Sequence, residues 1–348
     1  MTIPYGRQTV DEDDIQAVVD VLRSDYLTTG PKIAEFEGDF SDHVNAWRAV
    51  AFSSGTAALH GAMYALGIKP GDEVIVPAIT FVATANCVVY MGGTPVFCDV
   101  EADTLCMDPD KLAPLINKRT KAIIAMDYAG QVCDYNKISD IAAAHNLRLV
   151  ADACHSLGAQ EHSADISVYS FHPVKHITTG EGGMAVTDSR ELADKMRSFR
   201  NHGMVESAMV DLGYNYRITD IQCALGISQL KKLYGWIEQR REIAQRYDEL
   251  LPDKFEKLAK VRSHVYHLYV VKVPRRVHLM SLLLQAGIRT QIHYRPVFYH
   301  PYYWTRKAGC PVAEDVYRQI LSLPIYPGLT RDQQDYVIQT LEGLAWPK

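Results

Sequence analysis

The chain has 348 residues, 47% of them hydrophobic, and a formal net charge of -5 from 36 basic and 41 acidic side chains. That suffices for one large core and a smaller second one, since domains rarely exceed roughly 250 residues, and no long run of one charge sign announces a nucleic-acid surface. The opening MTIPYGRQTVDEDD lacks the apolar core of a signal peptide and no stretch nears the roughly 18 apolar residues of a membrane span, so a cytoplasmic metabolic protein is expected.

In chain order, Thr9 and Glu12 have the spacing of a capping box, and Ile15, Val18, Val19 and Leu22 then recur at helical intervals. DYLTTGPK reads as an irregular connection. From about residue 48, short apolar runs alternate with helical stretches, the rhythm of an α/β domain. Strands are expected at Ala49–Phe52, Glu73–Val76, Pro95–Asp99, Ala122–Asp127, Arg148–Ala151, Ile166–Ser170 and Met184–Thr187. Helices are expected at Ala57–Leu66, Phe81–Tyr90, Lys111–Asn117 and Ile138–His145, covering a mainly parallel sheet. Ile218 to about Leu251 reads as one continuous helix with weak points at Gly226 and Gly235. Beyond it come strands at Tyr266–Val273 and Ile288–Tyr294 and helices at Leu279–Gln285, Ala313–Leu321 and Arg331–Leu344, a small α+β unit. The expected division is therefore a large domain over residues 1–235, with an N-terminal helix and arm, and a small domain over 236–348. Seven scattered cysteines, an odd number with no CxxC pair, read as buried reduced thiols.

Three segments carry chemistry. In SSGTAAL an apolar strand runs into a turn and a helix, where Ser54, Gly55 and Thr56 could seat a phosphate on the free N–H groups, or simply cap the helix. In VADACHSLGA a strand ends on Asp152, a carboxylate that needs a partner: either a helix N-terminus, or the pyridine nitrogen of pyridoxal 5'-phosphate (PLP), whose protonation makes the ring an electron sink. His155 reads equally as a contact to the ring hydroxyl or a satisfied core histidine. In SVYSFHPVKHITTGEGGMAV, Lys175 lies between an apolar strand and a Thr/Gly-rich turn, the setting of a Schiff-base lysine with Ser170 on the cofactor phosphate. His172 and His176 do not meet another ligand pair at metal-helix spacing, so no metal is expected.

With GYNYRITDIQCALG, these segments occur in the order and approximate spacing of one family, and nearly the whole chain resembles it: the fold-type I, PLP-dependent sugar-nucleotide aminotransferases of the DegT/DnrJ/StrS group. The resemblance implies that Lys175 carries the cofactor, Asp152 pairs with its nitrogen, Gly55, Thr56 and Ser170 hold its phosphate, and Phe81 stacks on its ring. Asn215 matches the residue that a neighbouring subunit lends to the phosphate, which implies a homodimer; taken alone it reads as a turn residue. His155 stands where many members have Gln, and with FHPVK, the PYGRQ opening, RSDYLTTGP and QIHYRPVFYHPYY it resembles the PseC-type subgroup. That subgroup moves the amino group of L-glutamate to C4 of a UDP-linked 4-keto-6-deoxy-N-acetyl-hexosamine in pseudaminic acid biosynthesis, leaving pyridoxamine phosphate (PMP) between half-reactions. Tyr5, Asp25, Tyr26, Leu27, Thr28, His293, Tyr294, Arg295 and Pro296 would then line the sugar-nucleotide pocket, although the aromatic run from Tyr294 to Trp304 reads equally as a packing patch. Other UDP- or dTDP-4-keto-6-deoxy sugars of the bacillosamine, viosamine or perosamine type are the alternatives. Sugar dehydratases of this fold replace the lysine by histidine or hold an iron-sulfur cluster, and a regulator would need a basic DNA-binding segment; Lys175, the isolated Cys223 and Cys310 and the charge pattern disfavour all three.

Overall fold

The computed structural model describes residues 2–159, 163–304 and 309–343. Helix α1 (Glu12–Leu22) is capped by a reciprocal Asp11–Asp14 box, not by Thr9 and Glu12 as the sequence pattern proposed. The Thr9 hydroxyl instead donates to the Pro327 carbonyl at 3.4 Å. Asp14 is buried and accepts from Ser228 and Gln229, both at 2.6 Å, and pairs with Lys232 at 2.9 Å, which locks α1 to the helix that carries Ser228 and Gln229. Helix α2 (Pro31–His43) lies within the stretch left unassigned before residue 48, and buries Phe36 and Phe40 from successive turns of one face.

The main sheet has seven strands: β1 (Arg48–Phe52), β2 (Glu73–Pro77), β3 (Thr94–Cys98), β4 (Thr120–Met126), β5 (Arg148–Asp152), β6 (Ile166–Ser170) and β7 (Gly183–Thr187). Their order is β1-β7-β6-β5-β4-β2-β3, parallel from β3 through β6, with β7 antiparallel to both β6 and β1. All seven agree with the sequence reading to within two residues at each end. Runs such as AIIAM and LVA are buried on both faces, so helices must cover the sheet on both sides. The covering helices include α3 (Gly55–Ala65), α4 (Ala83–Tyr90), α5 (Tyr135–Ala144) and α6 (Arg190–Phe199). The helix expected at Lys111–Asn117 is absent: Pro109 and Pro114 leave two short 3-10 turns, because proline cannot supply the N–H a longer helix needs.

After a small hairpin, β8 (Met204–Val205) and β9 (Ala208–Met209), the chain forms α7 (Asp220–Leu230) and α8 (Leu233–Leu250). The break in the expected continuous helix falls at Lys231–Lys232, not at either glycine, and α8 runs through the expected domain border at residues 235 and 236. A second sheet joins β10 (Glu256–Lys257), β11 (Tyr269–Lys272) and β12 (Ile320–Leu323) in that order. It is flanked by α9 (Arg276–Gln285), α10 (Pro311–Tyr317) and α11 (Arg331–Gly343), and α11's expected last residue, Leu344, lies outside the described residues. The sequence reading fused α10 and β12 into one helix; a turn at Arg318–Gln319 separates them, and β12 pairs antiparallel with β11. Ile288–Tyr294, expected as a strand, makes only single bridges, Ile3 to Ile288 and Gln291 to Ser322, and its His293–Tyr294 peptide is cis. Among the described residues no helix is long and apolar enough to cross a membrane, and all seven cysteines are free.

Candidate active site

The strand order brings the three motifs together. Asp152 ends β5 and Ser170 ends its parallel neighbour β6, so both lie at the carboxyl edge where α/β sheets bind ligands. Gly183 opens β7 opposite both Ser170 and Phe52. A Cβ on Gly183 would come within 2.5 Å of the Ser54 carbonyl, so only glycine lets β7 approach the turn that starts α3. Ser54 caps α3 by accepting from the Ala57 N–H at 3.1 Å. A Cβ on Gly55 would meet Ser170 Cβ at 3.0 Å and Cys154 Sγ at 3.4 Å. The α3 N-terminus, with Gly55 and Thr56, therefore faces the Ser170 hydroxyl across a gap that only a missing side chain keeps open. Such a cradle, at the positive end of a helix, suits a phosphate.

Asp152 is 3% exposed. One oxygen accepts from the Thr84 hydroxyl at 2.7 Å, the other from the Cys154 N–H at 3.3 Å. Thr84 is in turn 2.6 Å from the Thr80 hydroxyl, so α4 and the segment before it fix the carboxylate. No ion pair neutralises Asp152 among the described residues, which leaves a buried anion fit to receive a pyridinium N–H.

Lys175 sits in the loop between β6 and β7. Phe171 anchors that loop in the core, and its carbonyl accepts from both the Thr178 hydroxyl (3.0 Å) and the Thr179 N–H (3.1 Å), which is the structural use of the ITTG run. Burial lowers the Lys175 pKa, with Cys154 and Asp152 opposing, so the amine reaches its neutral, reactive form more readily than a surface lysine. Its Nζ lies 3.5 Å from Nε2 of His267, a residue the sequence reading did not single out. Thr84 was missed as well; its only sequence signal is the Thr80–Thr84 spacing of one helical turn.

His155 is 1% exposed, and its Nε2 is 3.0 Å from the Tyr294 hydroxyl. Burial pushes its pKa well down, helped by Lys175, His293 and His176, so the ring is neutral. Its Nδ1 has no hydrogen-bond partner among the described residues, an orphan atom that a ligand hydroxyl would satisfy. Phe81 is half exposed, with its ring centre 6.0 Å from that of Tyr294, and so presents a free aromatic face at the mouth. Tyr5 packs 5.4 Å from His293, which is buried against the Ser322 hydroxyl at 2.8 Å; Pro296 is buried, and Arg295 is exposed.

Other expected residues lie apart. Asp25, Tyr26, Leu27 and Thr28 are exposed, and the Leu27 carbonyl and Thr28 are tied to Asp220 and Thr219 at the start of α7. Asn215 is exposed and bridges Asn201 through its backbone. A cavity of about 330 Å³ beside Arg148, Asp165 and Lys195 shares no lining residue with the Lys175 cluster. No group of three or more His, Cys, Asp or Glu side chains could hold a metal among the described residues.

The carboxylate, the desolvated lysine, the cradle, the orphan imidazole nitrogen and the open aromatic face together fit PLP. The comparisons agree. The chain is 36% identical to the spore coat polysaccharide biosynthesis protein SpsC of Bacillus subtilis, with 99% of this chain and 97% of SpsC covered. The PLP form of Spr1654 from Streptococcus pneumoniae superposes with a TM-score of 0.93 at 32% identity over 98% of each chain. Helicobacter pylori PseC, an aminotransferase of pseudaminic acid biosynthesis, superposes at 0.92 with 33% identity, again over 98% of each. Residues 8–342 match the DegT/DnrJ/EryC1/StrS aminotransferase family model. The chain belongs to that family and is a PLP-dependent sugar aminotransferase.

Proposed function

We propose that the protein transfers the amino group of L-glutamate to C4 of a UDP-linked 4-keto-6-deoxy-N-acetyl-hexosamine, as PseC-type enzymes do. The observation that carries the chemistry is the desolvated Lys175 amine beside buried Asp152 at the carboxyl edge of the sheet. Bound there, the cofactor supplies an electron sink for the carbon that loses its proton. Asp152 would hold the ring nitrogen protonated, the α3 N-terminus with Gly55, Thr56 and Ser170 would grip the phosphate, and neutral His155 would offer its unpartnered Nδ1 to the ring hydroxyl. Lys175 Nζ, whose pKa burial lowers, accepts the proton from Cα of the donor and delivers one to C4 of the acceptor, from one face only.

The substrate assignment draws support from His155, FHPVK, PYGRQ and IHYRP together, and from a chain of ring contacts that runs from Tyr5 to His293, from His293 to Tyr294 and from Tyr294 to His155. Arg295, exposed at the rim, would take a diphosphate oxygen. We assign Asn215 and Asp25–Thr28 to the neighbouring subunit's site, because both are exposed and both adjoin the Ile218–Asp220 segment. Exposed Val205, Met209, Val210 and Leu212 nearby offer apolar area for such a homodimer. Residues 1–235 form the cofactor-binding unit in this reading, and 236–348 the smaller one. The test is to incubate the purified protein with glutamate and a panel of UDP- and dTDP-4-keto sugars, and to read the product by NMR. A UDP-linked 4-amino sugar is expected; a tenfold preference in kcat/KM for a dTDP sugar would remove the substrate assignment.

A further inference from the structure

We propose that His267 is a positioning residue for the Lys175 amine, docking Nζ whenever that nitrogen is not bonded to the cofactor. The proposal rests on Lys175 being the reacting amine. A free lysine has four rotatable side-chain bonds, so an undocked Nζ would sample many rotamers instead of waiting at the reacting carbon. His267 is 4% exposed, and its Nε2 lies 3.5 Å from Nζ. The ring cannot swing away: His155 packs 4.2 Å from it and His176 5.7 Å, centre to centre. Its backbone carbonyl accepts from the buried Arg240 guanidinium at 3.3 Å, and His176 is pinned by the Val265 carbonyl at 3.0 Å.

Burial pushes the His267 pKa well down, and the groups facing it, His155, Lys175, His176 and Arg240, none of them acidic, push the same way, so the imidazole stays neutral. A neutral ring with its proton on Nδ1 presents Nε2 as an acceptor, which suits Lys175 both as ammonium and as amine. Nδ1 has no partner among the described residues, so the contact to Nζ is the ring's one side-chain hydrogen bond there. Asp152, Cys154 and His293 face Lys175 from other sides, and none of them is hydrogen-bonded to Nζ.

The experiment compares wild type, His267→Phe and His267→Gln, each loaded with pyridoxamine phosphate so that the Lys175 amine is free. Competitive acetylation across pH, read by mass spectrometry, reports the protonation midpoint of Lys175; steady-state kinetics report kcat and KM for glutamate. Loss of a neutral acceptor for the ammonium form should lower the midpoint by about one pH unit in His267→Phe. In the same variant kcat should fall about tenfold with KM within about twofold, and glutamine should restore most of both. A midpoint that does not move, or an unchanged kcat in the phenylalanine variant, overturns the proposal. If that variant does not fold, His267→Asn, whose amide is too short to reach Nζ, takes its place under the same criteria. Turnover surviving in Lys175→Ala would instead remove the proposed function, so the two failures are distinguishable.

Discussion

Gly55→Ala separates cofactor binding from folding. Gly55 opens α3 without a left-handed backbone angle, so alanine adds no backbone strain, and its helix propensity favours the folded state by up to about 1 kcal/mol. The new methyl would lie 3.0 Å from Ser170 Cβ and 3.4 Å from Ser170 Oγ, so Ser170 must give way by a few tenths of an ångström while the methyl fills the cradle. That should cost one hydrogen bond to the phosphate, about 1.5–3 kcal/mol for a charged acceptor, and raise the Kd for PLP roughly 10- to 100-fold. The assay is an absorbance titration of cofactor-free protein with PLP, with thermal melting of the same preparation as the control for folding. A Kd within about twofold of wild type, at an unchanged melting temperature, would place the phosphate elsewhere and refute the cradle.

Asp152→Asn should still bind cofactor but lose several orders of magnitude in turnover, because an unprotonated ring is a poor electron sink; a mild effect in the glutamate half-reaction would mean the ring lies elsewhere. Mixing Lys175→Ala with Asn215→Ala subunits should restore part of the activity, since each mixed dimer keeps one intact site; mixed dimers as inactive as either parent would make Asn215 a turn residue of its own subunit. Arg295→Ala should raise KM for the sugar nucleotide and spare the glutamate half-reaction, and an effect confined to glutamate turnover would misplace the diphosphate. Burial holds His60 at about 4 and His293 at about 3, against about 6.5 in an unfolded chain. Below pH 6.5 the unfolded state therefore binds protons that the folded state refuses, and stability should rise with pH from 5 to 7. Each ring should cost about 1.4 kcal/mol at pH 5.5, and His60→Gln should flatten the melting curve against pH; a flat wild-type profile would contradict the burial of both rings.

The large sheet was legible because its strands are continuous apolar runs punctuated by turn residues; Asp152 and Ser170 were legible because each ends such a run, and Lys175 because it lies between one and a Thr/Gly-rich turn. The small domain was harder. Ile320–Leu323 is a strand only because Tyr269–Lys272 lies beside it, and nothing local distinguishes ILSL from the end of a helix. Helix α2 did carry a signal, Phe36 and Phe40 one turn apart, which the irregular segment before it obscured. His267 had none, because its chemistry arises from meeting Lys175, 92 residues earlier in the chain. Thr84 likewise gains its meaning only against Asp152.

The central claim is that Lys175 is the amine that carries PLP. Borohydride reduction of the yellow holoprotein, followed by proteolysis and mass spectrometry, tests it most directly. A pyridoxyl group on the peptide containing Lys175 alone, and none in Lys175→Ala, is the result expected. A pyridoxyl group on another lysine, or near-native turnover in Lys175→Ala, would contradict it.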